Sequence, residues 1–306
     1  MHERYVLVTP AKNEEAYIEK TIQAVLSQTI LPQKWVIVSD GSTDRTDELV
    51  AEYAQKYDFI TLLRASDSGD QSARNFGSKV SAFRAGYHLI VDTPHNFVGN
   101  LDADVTFDPD YFEQILRRFQ VNLRLGLAGG LIFELNDGKY LPQQMSLMSV
   151  AGAVQLFRRQ AYESFGGYLP IKGGGVDAAA EIMTRMHGWE VQSFPEIRVL
   201  HHRRVSTGGK SVLHTRFRQG VTNYLLGYHP VFHIASCLRR LNESPYALGG
   251  IARLGGYGWA SLKRYKRVVP DEVVKFLRAE QMTRMTSPIN WRAQNKTAKP
   301  VTGARS

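Results

Sequence analysis

Asp102-Ala103-Asp104 closes a short apolar run, Phe97-Val98-Gly99-Asn100-Leu101, and sets two carboxylates one residue apart. A run of this kind reads as a buried strand of a parallel sheet. A strand that stops at Asp-X-Asp delivers its carboxylates to the open C-terminal edge, where ligands of such sheets collect. Two hard oxygen donors suit Mg²⁺ or Mn²⁺. A divalent ion held there can bridge a nucleotide diphosphate and neutralise charge that builds on it as a leaving group. The tripeptide alone is a weak motif, because Asp also serves in turns and caps after strands, and Thr106, Asp108 and Pro109 add ordinary turn chemistry.

The elements that must carry this pair follow from periodicity. Tyr5-Val6-Leu7-Val8-Thr9-Pro10 reads as a strand ended by proline, followed by a helix with Ile18, Ile22, Val25 and Leu26 on one face. Lys34 to Val38 is a second strand that stops at Ser39-Asp40-Gly41-Ser42-Thr43-Asp44, and the next helix carries Leu49, Val50 and Tyr53. Phe59 to Leu63 is a third strand, and a helix from Ser72 to Gly86 leads to the strand before Asp102. Such βαβ alternation with short connections specifies an open, mostly parallel sheet with helices on both faces. Its functional edge then collects Pro10 to Glu14, Asp40 to Asp44, and Asp102 to Asp104. No G-x-G-x-x-G follows the first strand and no G-x-x-x-x-G-K-[ST] occurs anywhere, which removes the main support for dinucleotide and P-loop readings.

With 306 residues, 43% apolar and 22% charged, the chain can bury a full α/β core. Cys237 is the single cysteine, so no internal disulfide forms, as expected in a reducing compartment. Met1-His2-Glu3-Arg4 runs straight into a strand with no signal-peptide pattern. The net charge of +9 is uneven, at −7 through Ile197 and +16 from Arg198 onward. The acidic first two thirds argue against a nucleic-acid enzyme clamped along its core, and the basic last third calls for an anionic partner, for which a membrane surface, nucleotide phosphates and RNA all qualify.

Four segments in order resemble the motifs of family 2 glycosyltransferases. They are Thr9-Pro10-Ala11-Lys12-Asn13-Glu14-Glu15, Val38 to Thr46, Ser72-Ala73-Arg74-Asn75-Phe76-Gly77, and Asn100 to Asp104, and the match in order and spacing covers roughly residues 4 to 205. The resemblance implies a GT-A fold. It implies that Pro10, Asn13, Glu14, Asp40, Asp102 and Arg74 bind the donor nucleotide, and that Asp104 and Asp102 hold Mg²⁺ or Mn²⁺ and the donor diphosphate. On the residues alone, Asp40 to Asp44 is also a plain turn and cap, Glu14 and Glu15 suit the first turn of their helix, and Arg74 suits a solvated helix face. The connection Tyr87 to His95 is longer than is usual in the family and can be an edge strand or a loop over the site.

In the second half, Gly126 to Leu135 and Gly152 to Phe157 read as strands, and Arg159 to Phe165 as a helix ended by Gly166-Gly167. Gly173-Gly174-Gly175 permits close approach of backbone and ligand. Beyond it Ala179, Ile182, Met183 and Met186 form a helical stripe that puts Asp177 at or just before the helix start. Family 2 chains carry Glu-Asp here, eleven residues ahead of a Gly such as Gly188, and the resemblance makes Asp177 the general base. Val176 stands where the family has Glu, and an N-cap role for Asp177 is the plain alternative. Val199-Leu200-His201-His202-Arg203 matches the place where relatives offer a third metal ligand. Adjacent strand residues point opposite ways, so one His reaches the metal, and His201 is the choice. Lys210, Arg216 and Arg218 are candidates for the donor diphosphate.

Past residue 218 the resemblance thins. Gln219 to Leu238 lacks Asp, Glu, Lys and Arg yet is too polar for a membrane span, so interfacial or buried helices are expected. Tyr246 to Arg267 mixes Tyr257 and Trp259 with Arg253, Lys263, Arg264, Lys266 and Arg267, a pattern expected to dock on anionic lipid, with a solvated basic helix packed on the catalytic domain or an RNA-facing patch as the alternatives.

The sequence therefore predicts an α/β chain of GT-A type, a Rossmann-like, mostly parallel open sheet plus a basic, mainly helical C-terminal extension. The catalytic domain is 1–218, with a nucleotide-binding half at about 1–105 and an acceptor half at about 106–218. A helical extension covers 219–286 and a disordered tail 287–306. The expected activity is inverting transfer of a sugar from a nucleotide-diphosphate sugar to a hydroxyl of a lipid-linked or saccharide acceptor. The expected location is the inner face of the cytoplasmic membrane, with no nucleic-acid partner. A sugar-phosphate nucleotidyltransferase or an inactive nucleotide-sugar or membrane-binding module are the alternatives.

Overall fold

A computed structural model describes residues 3–64, 79–136, 138–171, 174–203, 212–241 and 246–286. Arg74, Lys210, the first turns expected of the helix at 72–86, and the tail 287–306 lie outside the described residues.

The first four strands are β1 (Tyr5–Ala11), β2 (Lys34–Ser39), β3 (Ile60–Arg64) and β4 (Phe97–Leu101), and all pair in parallel in the order β3-β2-β1-β4. Their continuous Val, Ile, Leu and aromatic content fits burial on both faces. One face packs on α1 (Ile18–Leu26), α2 (Thr46–Lys56) and α4 (Tyr111–Val121) through Ile22, Val25, Val50, Ile115 and Phe119. The other packs on α3 (Lys79–His88), α5 (Arg159–Ser164) and α6 (Val176–Met186) through Val80, Phe83, Tyr162 and Ala180. Side chains as fully buried as Trp35 and Ile37 contribute about 1.5–3 kcal/mol each.

β1 continues one residue past the proline expected to end it, because Pro10 sits beyond the stretch that pairs with β4 and there lacks only a hydrogen that β4 would not use. Beyond β4 the sheet becomes mixed. β8 (Val154–Arg158) runs antiparallel to β4, and β6 (Leu125–Asn136) antiparallel to β8. β9 (Glu190–His201) runs parallel to β6, and β5 (Val105–Phe107) closes that end antiparallel to β9. β7 (Lys139–Pro142) forms a hairpin with β6.

The long connection after α3 is neither an edge strand nor a cover over the acidic edge. It feeds the N-terminal end of β4, where Asn96 N–H donates to the Arg4 carbonyl at 2.8 Å, so it lies at the opposite edge of the sheet. Ile90 is buried there and Tyr87 packs on His95 and Tyr162.

After β9 come the helices α7 (Val212–Leu225), which spans the expected boundary at 218/219, α8 (Pro230–Arg239), α9 (Tyr246–Leu262) and α10 (Asp271–Thr286). α7 and α9 meet backbone to backbone. A Cβ on Gly220 would lie 2.0 Å from the Arg253 carbonyl oxygen, and one on Gly256 would lie 2.0 Å from that of Phe217. α10 packs on α6 through Val273, Val274 and Leu277 against Ile182 and Met183.

Three side chains expected on a lipid-facing surface turn inward instead. Arg253 is 8% exposed and its Nε donates to Gln219 Oε1 at 3.0 Å. The Tyr257 hydroxyl donates to the Tyr228 carbonyl at 2.7 Å, and Arg267 Nη1 donates to that of Tyr224 at 2.6 Å. The glycines of α9 leave room that long polar side chains fill, and each polar head finds a carbonyl or amide there. No helix among the described residues is long and apolar enough to cross a membrane.

Candidate functional site

The turn after β4 is pinned from two sides. Asp102 N–H donates to the Ala153 carbonyl of the β8 approach at 2.9 Å, and the buried Thr21 hydroxyl of α1 is shared between the carbonyls of Ala103 and Val105 at 2.8 and 2.9 Å. The carboxylates thus project from a rigid base.

Each already faces a cation. Asp102 bonds Lys79 at the start of α3. Asp104 lies 3.2 Å from His201 Nε2 and 3.5 Å from Arg203 Nε, and Arg203 also bonds Glu14. Burial works to raise the Asp104 carboxyl, but the His201 hydrogen bond and the charges of His201 and Arg203 outweigh it and hold it below the usual range. Burial likewise works against charge on the His201 ring, and Asp104 outweighs it and raises that ring. Burial pushes Glu14 up to about 7 against the pull of Arg203, with Asp104 and Asp102 adding to the rise.

His201 and His202 diverge as strand geometry requires. His202 spends Nδ1 on the Tyr140 hydroxyl at 2.8 Å and Nε2 on Thr106 Oγ1 at 2.9 Å, which leaves His201 as the imidazole beside the carboxylates. As they stand, no three His, Cys, Asp or Glu side chains among the described residues converge as a ready coordination shell.

The first two loops are zipped together. Asn13, at φ +55, accepts from Thr43 N–H at 2.8 Å through Oδ1, so its side-chain oxygen already serves the loop. Glu14 N–H donates to Thr46 Oγ1 and Glu15 N–H to Asp44 Oδ2. Asp40 lies near the tip, 3.9 Å from Lys12 Nζ.

Asp177 is the second residue of α6, and no side chain caps that helix. The cap position belongs to Gly175 at φ +93, where a side chain would be strained and would strike Thr222 of α7. The N-cap alternative for Asp177 is thereby set aside. Asp177 lies against Gly152, where a Cβ would come 3.2 Å from its Oδ2. Asp102, Asp177, Lys79, Asn100, Tyr168 and His201 all line one cavity of about 460 Å³. Val176, which replaces the expected Glu, lines it too. Arg216 and Arg218 sit on the first turns of α7, where Arg216 Nη1 donates to Gln219 Oε1, and neither lines the cavity.

One turn below Asp177, Glu181 is buried and accepts from Ser149 Oγ and from Val150 N–H at 2.9 Å. Burial pushes its carboxyl up to about 8. The folded chain therefore keeps this proton up to about pH 8 while the unfolded chain releases it near 4.5, so the group's contribution is full below 4.5 and is lost as pH rises towards 8. Glu181→Gln is expected to flatten the decline in melting temperature across that window; an unchanged slope assigns it to another group.

Lys79 and Arg203 are the cations beside the acidic pair that motif reading passes over. Arg203 follows His201 by two residues, a spacing that would put both on one side were the strand continued past His201, where it ends. Lys79 carries no such signal, since its contact with Asp102 depends on how α3 sits on the sheet.

The sequence profile of glycosyl transferase family 2 matches residues 6–168, just over half of the chain. The chain belongs to glycosyl transferase family 2. Among curated relatives it is 28% identical over 141 residues to the uncharacterized glycosyltransferase EpsJ of Bacillus subtilis, covering 45% of this chain and 37% of that protein. It is 28% identical over 182 residues to the beta-monoglucosyldiacylglycerol synthase of a Nostoc species, covering 53% and 37%. This family 2 chain thus matches well under half the length of either relative. Among solved structures, mannosyltransferase PcManGT from Pyrobaculum calidifontis, in complex with GDP-Man and Mn²⁺, aligns with a TM-score of 0.55 at 16% identity over 96% of this chain and 83% of that one. S. aureus TarS 1–349 in complex with UDP-GlcNAc aligns at 0.50 and 14% identity over 86% and 74%. At these identities the likeness is one of fold, and the fold of this family 2 chain is of the GT-A type.

Proposed function

We propose that this chain transfers a sugar from a nucleotide-diphosphate sugar to a hydroxyl of a saccharide or lipid-linked acceptor, with inversion at the anomeric carbon. The observation that carries this reading is that Asp102 and Asp177, from opposite halves of the chain, open onto one cavity with His201 beside them. Its volume suits one sugar ring with part of an acceptor.

Asp177 takes the proton from the acceptor hydroxyl, whose oxygen attacks the anomeric carbon as the bond to the diphosphate oxygen breaks. One base and one direct displacement need no covalent intermediate. Lys79 and Arg203 stand beside Asp102 and Asp104 and stabilise negative charge on the departing diphosphate, with Lys210, Arg216 and Arg218 as further contacts. Pro10, Asn13, Glu14, Asp40 and Arg74 serve the nucleotide. The donor set of Asp102, Asp104 and His201 fits Mg²⁺ or Mn²⁺, and PcManGT, of the same fold, was solved with Mn²⁺. Bound there, such an ion would supply charge neutralisation at the diphosphate. The replacement of the family Glu by Val176 favours one second reading, a donor-binding module without turnover.

Calorimetric titration of UDP-, GDP- and dTDP-sugars, with and without Mn²⁺, tests the donor side. Wild type is expected to show a metal-dependent affinity that Asp104→Asn loses, since the amide keeps the shape and removes the charge. Equal metal-dependent affinity in both proteins would take Asp104 out of the metal site.

A further inference from the structure

Helix α9 is built inside out. Its inward stripe consists of Gly249, Gly250, Arg253, Gly256 and Ala260, all buried, which lets its backbone settle on α7. Its outward stripe is Leu248, Ile251, Trp259 and Leu262, all exposed, with Leu262 at 84%. At 100° per residue those four fall within one narrow sector opposite the glycines. A helix on a water-facing surface normally has the reverse arrangement, and large exposed apolar patches mark interaction sites. α8 repeats the pattern with Val231, Ile234 and Leu238 outward, and its end packs on α9 where Gly250 meets Leu241.

The charge beside this stripe identifies what covers it. Lys263, Arg264 and Lys266 follow Leu262 directly and are exposed, and Lys263 Nζ lies 5.0 Å over the Trp259 ring. No Asp or Glu occurs from Ser244 to Pro270. An apolar stripe with an aromatic ring and a cationic end matches the layer between acyl chains and anionic headgroups. A second copy packed in parallel on this face would bring the same three cations together, and one packed antiparallel would set them against the start of its α9, which carries no carboxylate, whereas anionic headgroups meet all three.

We propose that α9, with α8 beside it, lies in the interfacial layer of an anionic bilayer, with Leu248, Ile251, Trp259 and Leu262 in the acyl boundary and Lys263, Arg264 and Lys266 on the headgroups. The site lies across α7 from that face. α9 rests on α7, and Gly175, two residues from Asp177, is covered by Thr222 of α7 and by Leu226 just past its end. Docking would therefore hold the cavity close to the membrane that supplies a lipid-linked acceptor. This last step rests on the transfer reading, whereas the docking itself does not.

The test is co-sedimentation of the purified full chain with phosphatidylcholine vesicles with and without phosphatidylserine. Binding is expected to the anionic vesicles and to weaken with salt. The triple change Lys263→Ser, Arg264→Ser, Lys266→Ser should lower partitioning on the order of a hundredfold, and Trp259→Ser with Leu262→Ser more than about tenfold. Unchanged melting temperatures show that these exposed positions leave the fold intact. Equal partitioning into neutral vesicles, or no loss in either variant, overturns the proposal. So does a wild-type dimer by light scattering that Trp259→Ser with Leu262→Ser renders monomeric without vesicle binding, since a second copy then covers the face. Donor titration on the same samples separates the two readings: lipid binding without donor binding sinks the transfer reading alone, and donor binding without lipid binding sinks this one alone.

Discussion

Asp177→Asn is expected to slow sugar transfer by roughly 10² to 10⁴ while donor affinity stays nearly intact, the range typical of a lost general base. The substitution is clean because of where the residue sits. Asp177 is the second residue of α6 and caps nothing, so the amide costs the helix no N-cap bond. The volume is conserved against Gly152, whose Cα side faces the carboxylate closely. Only the ability to take a proton is removed. Initial rates with saturating donor, together with calorimetric donor affinity, provide the check. Transfer within about threefold of wild type, far short of a general-base loss, would show that the proton leaves by another route. No transfer in either protein, with donor bound by both, would favour the module without turnover.

A second large effect is expected in the extension. Gly256→Ala should lower unfolding free energy by about 3 kcal/mol, the upper part of the range for overpacking. The new methyl would lie 2.0 Å from a backbone oxygen of Phe217, and backbone cannot rotate aside as a side chain can. α9 would have to lift from α7. Gly258→Ala, two residues on in the same helix, meets nothing within 4 Å and should instead stabilise by up to about 1 kcal/mol, because alanine is the better helix former. Urea unfolding of the pair decides the matter. Equal effects at both positions would mean that the close α7–α9 contact is absent in solution.

Much of the nucleotide-binding half was legible because β1, β2 and β4 are buried on both faces, β3 is a short apolar edge strand, and α1 and α2 each show one apolar stripe. β1 to β4, α1 and α2 follow from those patterns, and the acidic pair falls where a parallel sheet opens. The acceptor half was less legible for a physical reason. Pairing of β4 with β8, of β6 with β9 and of β5 with β9 depends on contacts far apart in sequence, and hydrophobic period carries no partner information. Period 2 says that one of His201 and His202 faces the acidic turn and not which, because that depends on how β9 pairs with β5; in the fold His201 lies beside Asp104 and His202 is occupied by Tyr140 and Thr106. Arg253, Tyr257 and Arg267 were misplaced because composition reports how basic a segment is and not which way a helix is turned. The glycines at 249, 250 and 256 held that information, for they mark the side on which α9 approaches its neighbour.

The pairing of β5 with β9 also sets the order of events during synthesis. Asp104 leaves the ribosome with its turn, yet His201, which meets it, and β9, which pairs with β5, follow roughly a hundred residues later. At about 5–20 residues per second, that interval is on the order of five to twenty seconds. Throughout it the acidic turn has no imidazole partner; β1 to β4 can assemble from neighbouring segments, β4 keeps an open edge until β8 emerges about halfway through, and β6 then keeps one until β9 follows. The nascent chain thus holds an unpaired strand edge until its acceptor half emerges, which makes that interval the one in which a chaperone would matter most.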